Sequence, residues 1–489
     1  MGKGSLMNSL PGSDSECSRQ SLLEAVERDP ANVQALHQLG IVTAQGGDFV
    51  AAEGWFRRAL AIAPSQPDLI SSLAFLLSEA GRHWEAIDLF KQAVTLDRRN
   101  ERTLYGIANA YLRKGDLAES AFWWRQLIAV APDTADAHFN LGLVCRRMFD
   151  HQQAAREIGA AIALMAPDAP RLAFAHYMRG LTLLAIGEWK EGWAEYEWRL
   201  KDAMKSQADN FDAIAPRWDG RPMPGQRLLV HAEQGLGDTI NFCRYLKFPM
   251  FDGTVVILHC QEPLKQLMET SFGRGLVVVS GEKVPECDAQ LPLMSMPHTL
   301  AGRFGSAIPA EVPYLAASPE RVAVFAAELE RLAPGRRRIA IAWRGNPKNP
   351  SDGERSIEPE VFAPLLTLDA EFFAIQPGAD IGEFRRLGYD NVHDLSGLIT
   401  DFADTAAAVQ ALDGLIAVDT SVAHLAGALD KPAWVLLAHL NDWRWGLFGH
   451  MTPWYRSVRL YRQARAGDWP SALIQLGRDF AAWLVRRTG

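Results

Sequence analysis

The feature that most restricts what this chain can fold into is an internal period of 34 residues. GDFVAAEGWFRRALAIAP (47–64) recurs as GDLAESAFWWRQLIAVAP (115–132), two periods on, and RHWEAIDLFKQAVTL (82–96) lies between them in the same phase. Gly40, Ala74, Ala108 and Gly142 step by the same interval, as do Ala52, Ala86, Ser120 and Ala154, and Phe56, Phe90 and Trp124. Small residues at fixed points, with Pro near the end of each unit, form the tetratricopeptide pattern. Each unit is two antiparallel helices; small residues sit where they cross and aromatics fill the gap to the next pair. One pair cannot bury its apolar face alone, so neighbours must stack. A fifth pair, LAFAHYMRGLTLLAIG then EWKEGWAEYEWRL, is denser in aromatics (Trp189, Trp193, Tyr196, Trp198). It reads as a cap docking onto the next domain, since Trp and Tyr bury large areas. The array is expected over 21–201, behind a disordered tail at 1–20.

Residues 202–226 break the pattern, with three prolines in PRWDGRPMPG, and are expected to form a linker running over the surface. Beyond them the periodicity changes. Short apolar runs alternate with helical segments: RLLVHA (227–232), TVVILHC, GLVVVS and a fourth strand near 289–291. After a helix at Pro319–Leu332 come RIAIAW, EFFAIQ, NVHDL, GLIAVD and AWVLLA. Such alternation implies parallel sheets covered on both faces. Two sets imply two Rossmann-like lobes, at 227–318 and 319–466. Residues 467–489 read as an amphipathic helix with Leu473, Leu476, Phe480, Trp483 and Leu484 in one stripe. The expected fold class is an all-α tetratricopeptide solenoid followed by an α/β half.

Composition removes several classes. Lys and Arg number 50 against 58 Asp and Glu, a net charge of −8, which suits a nucleic-acid backbone poorly. No run approaches the roughly 18 apolar residues of a membrane span, and residues 1–20 lack the apolar stretch of a signal peptide. Five cysteines without CxxC spacing argue against a disulfide framework or a zinc cluster. A cytoplasmic multidomain protein is expected.

In open α/β sheets, ligands sit beyond the carboxyl ends of strands, where helix N-termini offer free N–H groups. Two strand ends carry unusual chemistry. In HAEQGLGDT, Gly235 and Gly237 would let a substrate approach the backbone, next to Gln234, and Asp238 opens a helix. The turn is neither GxGxxG nor GxxxxGK[ST], so neither dinucleotide binding nor a P-loop is supported. Asp238 suits a helix cap and a catalytic carboxylate equally. In GLIAVDTSVAHLAGAL, Asp419, Thr420 and Ser421 reach the start of a helix with His424 in its first turn. Hydroxyls with unpaired N–H groups make an anion site suited to a diphosphate; the plainer alternative is a cap and a packed histidine. The loop RGNPKNPSDGERS offers Arg344, Lys348 and Arg355 to a developing negative charge, although such runs are usually just solvated. Neither DxD, HExxH nor a Cys/His cluster occurs in the lobes, so no metal or other cofactor is expected.

HAEQGLGDT, GNPKN…RS, DTSVAHLAGAL and NDWRW…PWYRSVRLYRQ…GDW, in that order behind a repeat array, resemble bacterial tetratricopeptide glycosyltransferases. The catalytic half is similar to lipopolysaccharide heptosyltransferases and, more distantly, to O-linked N-acetylglucosamine transferase. The resemblance implies a GT-B fold and an inverting, metal-independent glycosyltransferase. It would move sugar from a nucleotide-sugar to a protein hydroxyl, with flagellin-like proteins as acceptors chosen by the concave face of the array. It implies Asp238 as general base, Thr420, Ser421 and His424 (after Asp419) as holders of the donor diphosphate, Lys348 as an aid to the leaving group, and Gln376 beside the nucleotide; Arg355, from the same loop, is expected to assist Lys348. Gln234, Gly235, Gly237 and Arg344 would complete the substrate-binding set. Two other readings remain: transfer to a lipid-linked or polysaccharide acceptor, and a non-catalytic repeat scaffold with a retired nucleotide fold. The sequence departs from the family at Asp430, where Gly is usual, and at His439–Leu440. The inner-face positions that carry an asparagine ladder in O-linked N-acetylglucosamine transferase are Gln38, Ser72, Gly106 and Asn140 here.

Overall fold

The computed structural model describes residues 15–201, 211–248, 251–305, 308–309, 311–349, 352–378 and 380–486. It divides into two compact units, Met1–Thr182 and Leu183–Gly489.

The first unit is a stack of antiparallel helix pairs. Its helices are α1 (Ser15–Arg28), α2 (Val33–Gln45), α3 (Phe49–Ile62), α4 (Pro67–Glu79), α5 (His83–Leu96), α6 (Glu101–Lys114), α7 (Leu117–Val130), α8 (Ala135–Arg147), α9 (His151–Leu164) and most of α10 (Leu172–Ala185). Helix α1 begins inside the stretch read as a tail; residues 1–14 lie outside the described residues. The period reappears in the caps. Asn32 and Asn100 accept from the N–H three residues on, at α2 and α6, and Asp48, Asp116 and Asp150 do the same at α3, α7 and α9; each such cap is worth about 1 kcal/mol. Phe56, Phe90 and Trp124, like Ala52, Ala86 and Ala154, are completely buried. A Cβ on Gly40 would lie 2.4 Å from the Phe56 ring, and one on Gly106 would lie 2.4 Å from Phe90. The helix crossings therefore demand the small residues, and an asparagine has no room at position 106.

The second unit opens with α11 (Trp189–Tyr196), which the sequence reading assigned to the array. The Arg199 side chain, 2% exposed, sits 2.6 Å from Glu233 and 2.8 Å from Glu197 and donates to Ser295 Oγ at 2.8 Å. Trp193 packs edge-on to Trp443 at 5.4 Å and to Phe242 at 5.9 Å. The dense aromatics thus fasten this helix to the α/β half, as a docking cap requires.

The first α/β lobe comprises β1 (Arg227–His231), α12 (Leu236–Phe242), β2 (Val255–Cys260), α13 (Lys265–Phe272), β3 (Val277–Val279), β4 (Ala289–Pro292) and α14 (Met296–Phe304). Its parallel sheet has the order β3-β2-β1-β4. The stretch before β1 is not a surface linker: Phe211 and Trp218 are buried. Trp218 N–H donates to the Gln290 carbonyl at 2.8 Å, and Gln290 N–H to that of Pro216 at 2.9 Å, so residues 216–218 line the edge of β4. Apolar side chains before and between the prolines drive this docking; residues 202–210 lie outside the described residues.

The second lobe comprises α15 (Pro319–Leu332), β5 (Arg338–Ala342), α16 (Asp352–Arg355), α17 (Pro359–Phe362), β6 (Glu371–Ala374), α18 (Gly382–Arg386), β7 (Val392–Asp394), α19 (Phe402–Ala411), β8 (Gly414–Val418), α20 (Ser421–Ala428), β9 (Ala433–Leu437), β10 (Val458–Arg462) and α21 (Trp469–Arg486). The sheet order is β10-β9-β8-β5-β6-β7. Counted within the lobe this is the doubly wound order 3-2-1-4-5-6, whose ligand site lies where the order reverses, between β5 and β8. The first lobe has the same 3-2-1-4 start, with its reversal between β1 and β4. Leu473, Leu476, Phe480 and Leu484 of α21 are buried in this lobe's core, where the Phe480 ring meets Trp434 at 4.9 Å. Asp430 takes the left-handed backbone (φ 57°) that favours glycine, and its carboxylate pairs with Arg456 at 2.5 Å.

Candidate functional site

Both reversal points end in the motifs singled out above. Strand β1 feeds the turn to α12, and Asp238 sits in the first turn of that helix. One carboxylate oxygen, Oδ2, accepts from Gly235 N–H at 2.9 Å, which is the capping role. The other, Oδ1, lies 2.5 Å from Arg444 Nη2. The carboxyl therefore serves as a cap and half of an ion pair at once. Burial pushes its pKa above the ordinary range, Arg444 pulls it back, and Asp442 pushes it up again. Arg444 is 5% exposed and also donates from Nη1 to Asp442 Oδ1 at 2.9 Å.

Gly237 does something other than leave room for a ligand. Neither Gly235 nor Gly237 has a positive φ. A Cβ on Gly237 would stand 3.1 Å from His424 Cδ2 and 3.5 Å from Ser421 Cα. The missing side chain lets the first turns of α12 and α20 touch across the two lobes. Gly237→Ala is expected to push His424 off its ring partners and to destabilise the fold by about 1–3 kcal/mol, the cost of overpacking. Urea unfolding of the variant checks this.

At the head of α20, Thr420 is the N-cap residue, yet no side chain caps the helix; the Thr420 hydroxyl donates instead to the Val418 carbonyl at 3.3 Å. The first N–H groups of α20 therefore lack a side-chain acceptor. His424 is buried, stacks on Trp445 (centroids 4.7 Å apart), and has Nδ1 3.0 Å from Tyr455 Oη. Asn241 of α12 donates to the same hydroxyl at 2.6 Å, so Tyr455 ties α12 to the His424 ring. Burial and then Arg444 lower the His424 pKa to about 3; the imidazole is neutral at physiological pH.

Burial, reinforced by Asp442, raises the Asp419 pKa to about 6. A carboxyl whose folded pKa exceeds its unfolded value loses stabilisation as pH climbs between the two. Asp419→Asn is accordingly expected to be more stable than the wild type at pH 7.5, with the gap closing towards pH 4. His424 works in the opposite direction in both proteins and cancels from that difference. Thermal melts across this range read it.

The remaining candidates divide. Arg355 Nη1 donates to the Asp419 carbonyl at 3.3 Å, which brings its guanidinium to the head of α20, while Nε meets Asp352 at 3.2 Å. Arg344 pairs with Glu358 at 3.1 Å and Glu383 at 3.2 Å. Gln376 Oε1 accepts from the N–H groups of Trp343 at 2.9 Å and Arg344 at 3.2 Å, so it fixes the end of β5. Lys348 is exposed, with its N–H on Asn346 Oδ1 at 3.0 Å. Gln234 donates to Tyr196 Oη at 3.0 Å. Sequence reasoning missed Arg444, Asp442, Trp445, Tyr455 and Asn241. The signal was present in NDWRW, an arginine between two tryptophans in a loop after an apolar strand.

Two models of the tetratricopeptide repeat match the chain, over residues 14–67 and 77–141. The N-terminal half is a tetratricopeptide-repeat region, and an α/β region follows it. Protein FlbA of Caulobacter vibrioides is 26% identical, over 94% of this chain and 86% of its own length. Anaphase-promoting complex subunit 3 of Schizosaccharomyces pombe is 27% identical over 27% of this chain and 20% of its own. Among solved structures, YrrB, described as a tetratricopeptide protein with an unusual peptide-binding site, covers 38% of this chain and 95% of its own at 13% identity, with a TM-score of 0.34. No helix among the described residues is long and apolar enough to cross a membrane.

Proposed function

We propose that this protein is an inverting glycosyltransferase of the GT-B kind. It moves a sugar from a nucleotide-sugar to a hydroxyl of an acceptor protein, in the cytoplasm and without a metal. The observation that supports the reading is the contact between the first turns of α12 and α20, where Gly237, the neighbour of Asp238, packs against Ser421 and His424 at the order reversals of the two sheets. In the reaction the acceptor oxygen attacks the anomeric carbon while Asp238 takes its proton. The bond from that carbon to the phosphate oxygen breaks, and the nucleotide leaves with the electron pair. Amides of α20, the Ser421 hydroxyl and the guanidinium of Arg355 hold the departing charge, joined by the Thr420 hydroxyl once it turns from the Val418 carbonyl and by Lys348 once its exposed side chain swings in from the loop. Donors aimed in this way are worth about 3–4 kcal/mol each in a transition state.

The repeats offer a surface for the acceptor, and flagellin-like proteins remain the proposed substrates on family resemblance. Because Gly106 cannot hold an asparagine, gripping the acceptor backbone through a full asparagine ladder is not part of this reading. The test has two steps. A panel of nucleotide-sugars is screened by thermal shift, since a bound ligand raises stability with the logarithm of its excess over Kd; the stabilising donor, radiolabelled, is then incubated with cell lysate. Label in a protein band is the expected result. Label in glycolipid or polysaccharide moves the acceptor to those classes, and a panel with no stabilising nucleotide-sugar supports the scaffold reading.

A further inference from the structure

One opening in the second unit plays no part in the reaction as described. It is a pocket of about 440 Å³ between the turn after α10 and the loop that follows β9, lined by Leu184, Trp189, Trp443, Trp445, Phe448 and Met451 among others. Arg444 is the only charged residue in its lining, and it is the residue 2.5 Å from Asp238 Oδ1. The pocket and the proposed base are thus one side chain apart. Its floor is buried: Trp443 and Trp445 are 5% and 1% exposed. Its outer wall is exposed: Phe448 is 75% and Met451 53% exposed.

The backbone of the loop that carries this wall is tied down by side chains. Arg462 sends its guanidinium to the carbonyls of Trp445, Gly446 and Gly449, and Asn441 Nδ2 donates to the Gly446 carbonyl at 2.9 Å. A fixed loop that keeps a phenylalanine in water forgoes its burial, which is worth about 1.5–3 kcal/mol. A partner that covers it recovers that energy.

Resting on the glycosyltransferase reading, we infer that this pocket is the acceptor subsite, taking a large apolar side chain next to the serine or threonine whose hydroxyl reaches Asp238. Lining chemistry selects this occupant. A sugar ring brings several hydroxyls, each needing a polar partner when buried, and this lining provides one guanidinium and indole N–H groups. A leucine or phenylalanine needs apolar walls alone. The enzyme then favours hydroxyls with bulky apolar neighbours over those between small or charged residues.

The test uses the full chain and two fluorescein-labelled peptides, Gly-Gly-Leu-Thr-Leu-Gly and Gly-Gly-Ala-Thr-Ala-Gly, with binding read by fluorescence polarisation. The leucine peptide is expected to bind about tenfold or more tightly, the scale of one buried aliphatic side chain. Phe448→Ala and Met451→Ala, both on exposed positions, are expected to erase most of that preference. Equal binding of the two peptides, no binding of either, or a preference unchanged in both variants overturns the assignment. Nucleotide-sugar thermal shifts on the same proteins keep the two failures apart. A donor that binds while the peptides do not discriminate removes the subsite and spares the transferase. Absence of any donor removes the transferase, and the peptide comparison still decides what the pocket binds.

Discussion

Replacement of Asp238 by asparagine is expected to cut sugar transfer by about 10²–10⁴-fold, the usual worth of a general base, with nucleotide-sugar binding retained. Asparagine preserves an oxygen to accept from Gly235 N–H, where the carboxylate now accepts at 2.9 Å, so the turn that starts α12 persists. What disappears is the basicity and the charge beside Arg444. The base works only when ionised, and its pKa is raised, so wild-type transfer falls as pH drops through that raised value. Initial rates with a saturating labelled donor read both effects. An asparagine variant with full transfer leaves the carboxyl a cap and an ion-pair partner, and nothing more.

Arg444→Met is expected to be the most destabilising single change at the site, by about 3–5 kcal/mol, because removing one partner of a buried ion pair strands the other. The stranded groups are Asp238 and Asp442. The Asp442 side chain keeps 41% of its surface in water and is partly relieved there, which places the loss towards the lower end. The pH dependence has a definite sign. Arg444 holds the Asp238 pKa down, so its loss raises that pKa further. Between the unfolded and folded values the native state then binds the extra proton, and stability declines as pH rises. The deficit of Arg444→Met is thus largest at alkaline pH and shrinks on acidification, and the acid limb of transfer moves to higher pH. Urea unfolding and rate profiles across pH measure these together. An unaltered acid limb means that Arg444 does not tune Asp238.

Sequence alone carries the repeat array because its physics is local and periodic: the alanines at 52 and 86 and the aromatics at 56, 90 and 124 recur every 34 positions and are all buried. The apolar strands are legible for a similar reason, as in GLIAV (414–418), buried along its whole length. Contacts that close over long separations leave no such trace. Tyr455 meets Asn241 across 214 positions, and Arg444 meets Asp238 across more than 200; neither pairing has a spacing rule. Gly237 shows the subtler failure. Its lack of a side chain is legible, but the sequence does not say whether a ligand or the facing helix fills the space, and here α20 does. The stretch 211–226 misleads because its prolines suggest a free linker, while Phe211 and Trp218 bury themselves against the first lobe.

The central idea is that the turn holding Asp238 and the start of α20 serve one ligand. Amide hydrogen exchange on the intact protein, with and without a saturating nucleotide-sugar, tests it most directly. The account expects the amides of 235–239 and of 421–424 to slow together on addition of the donor. Slowing in only one of these segments, or in neither while the ligand is demonstrably bound, would contradict it.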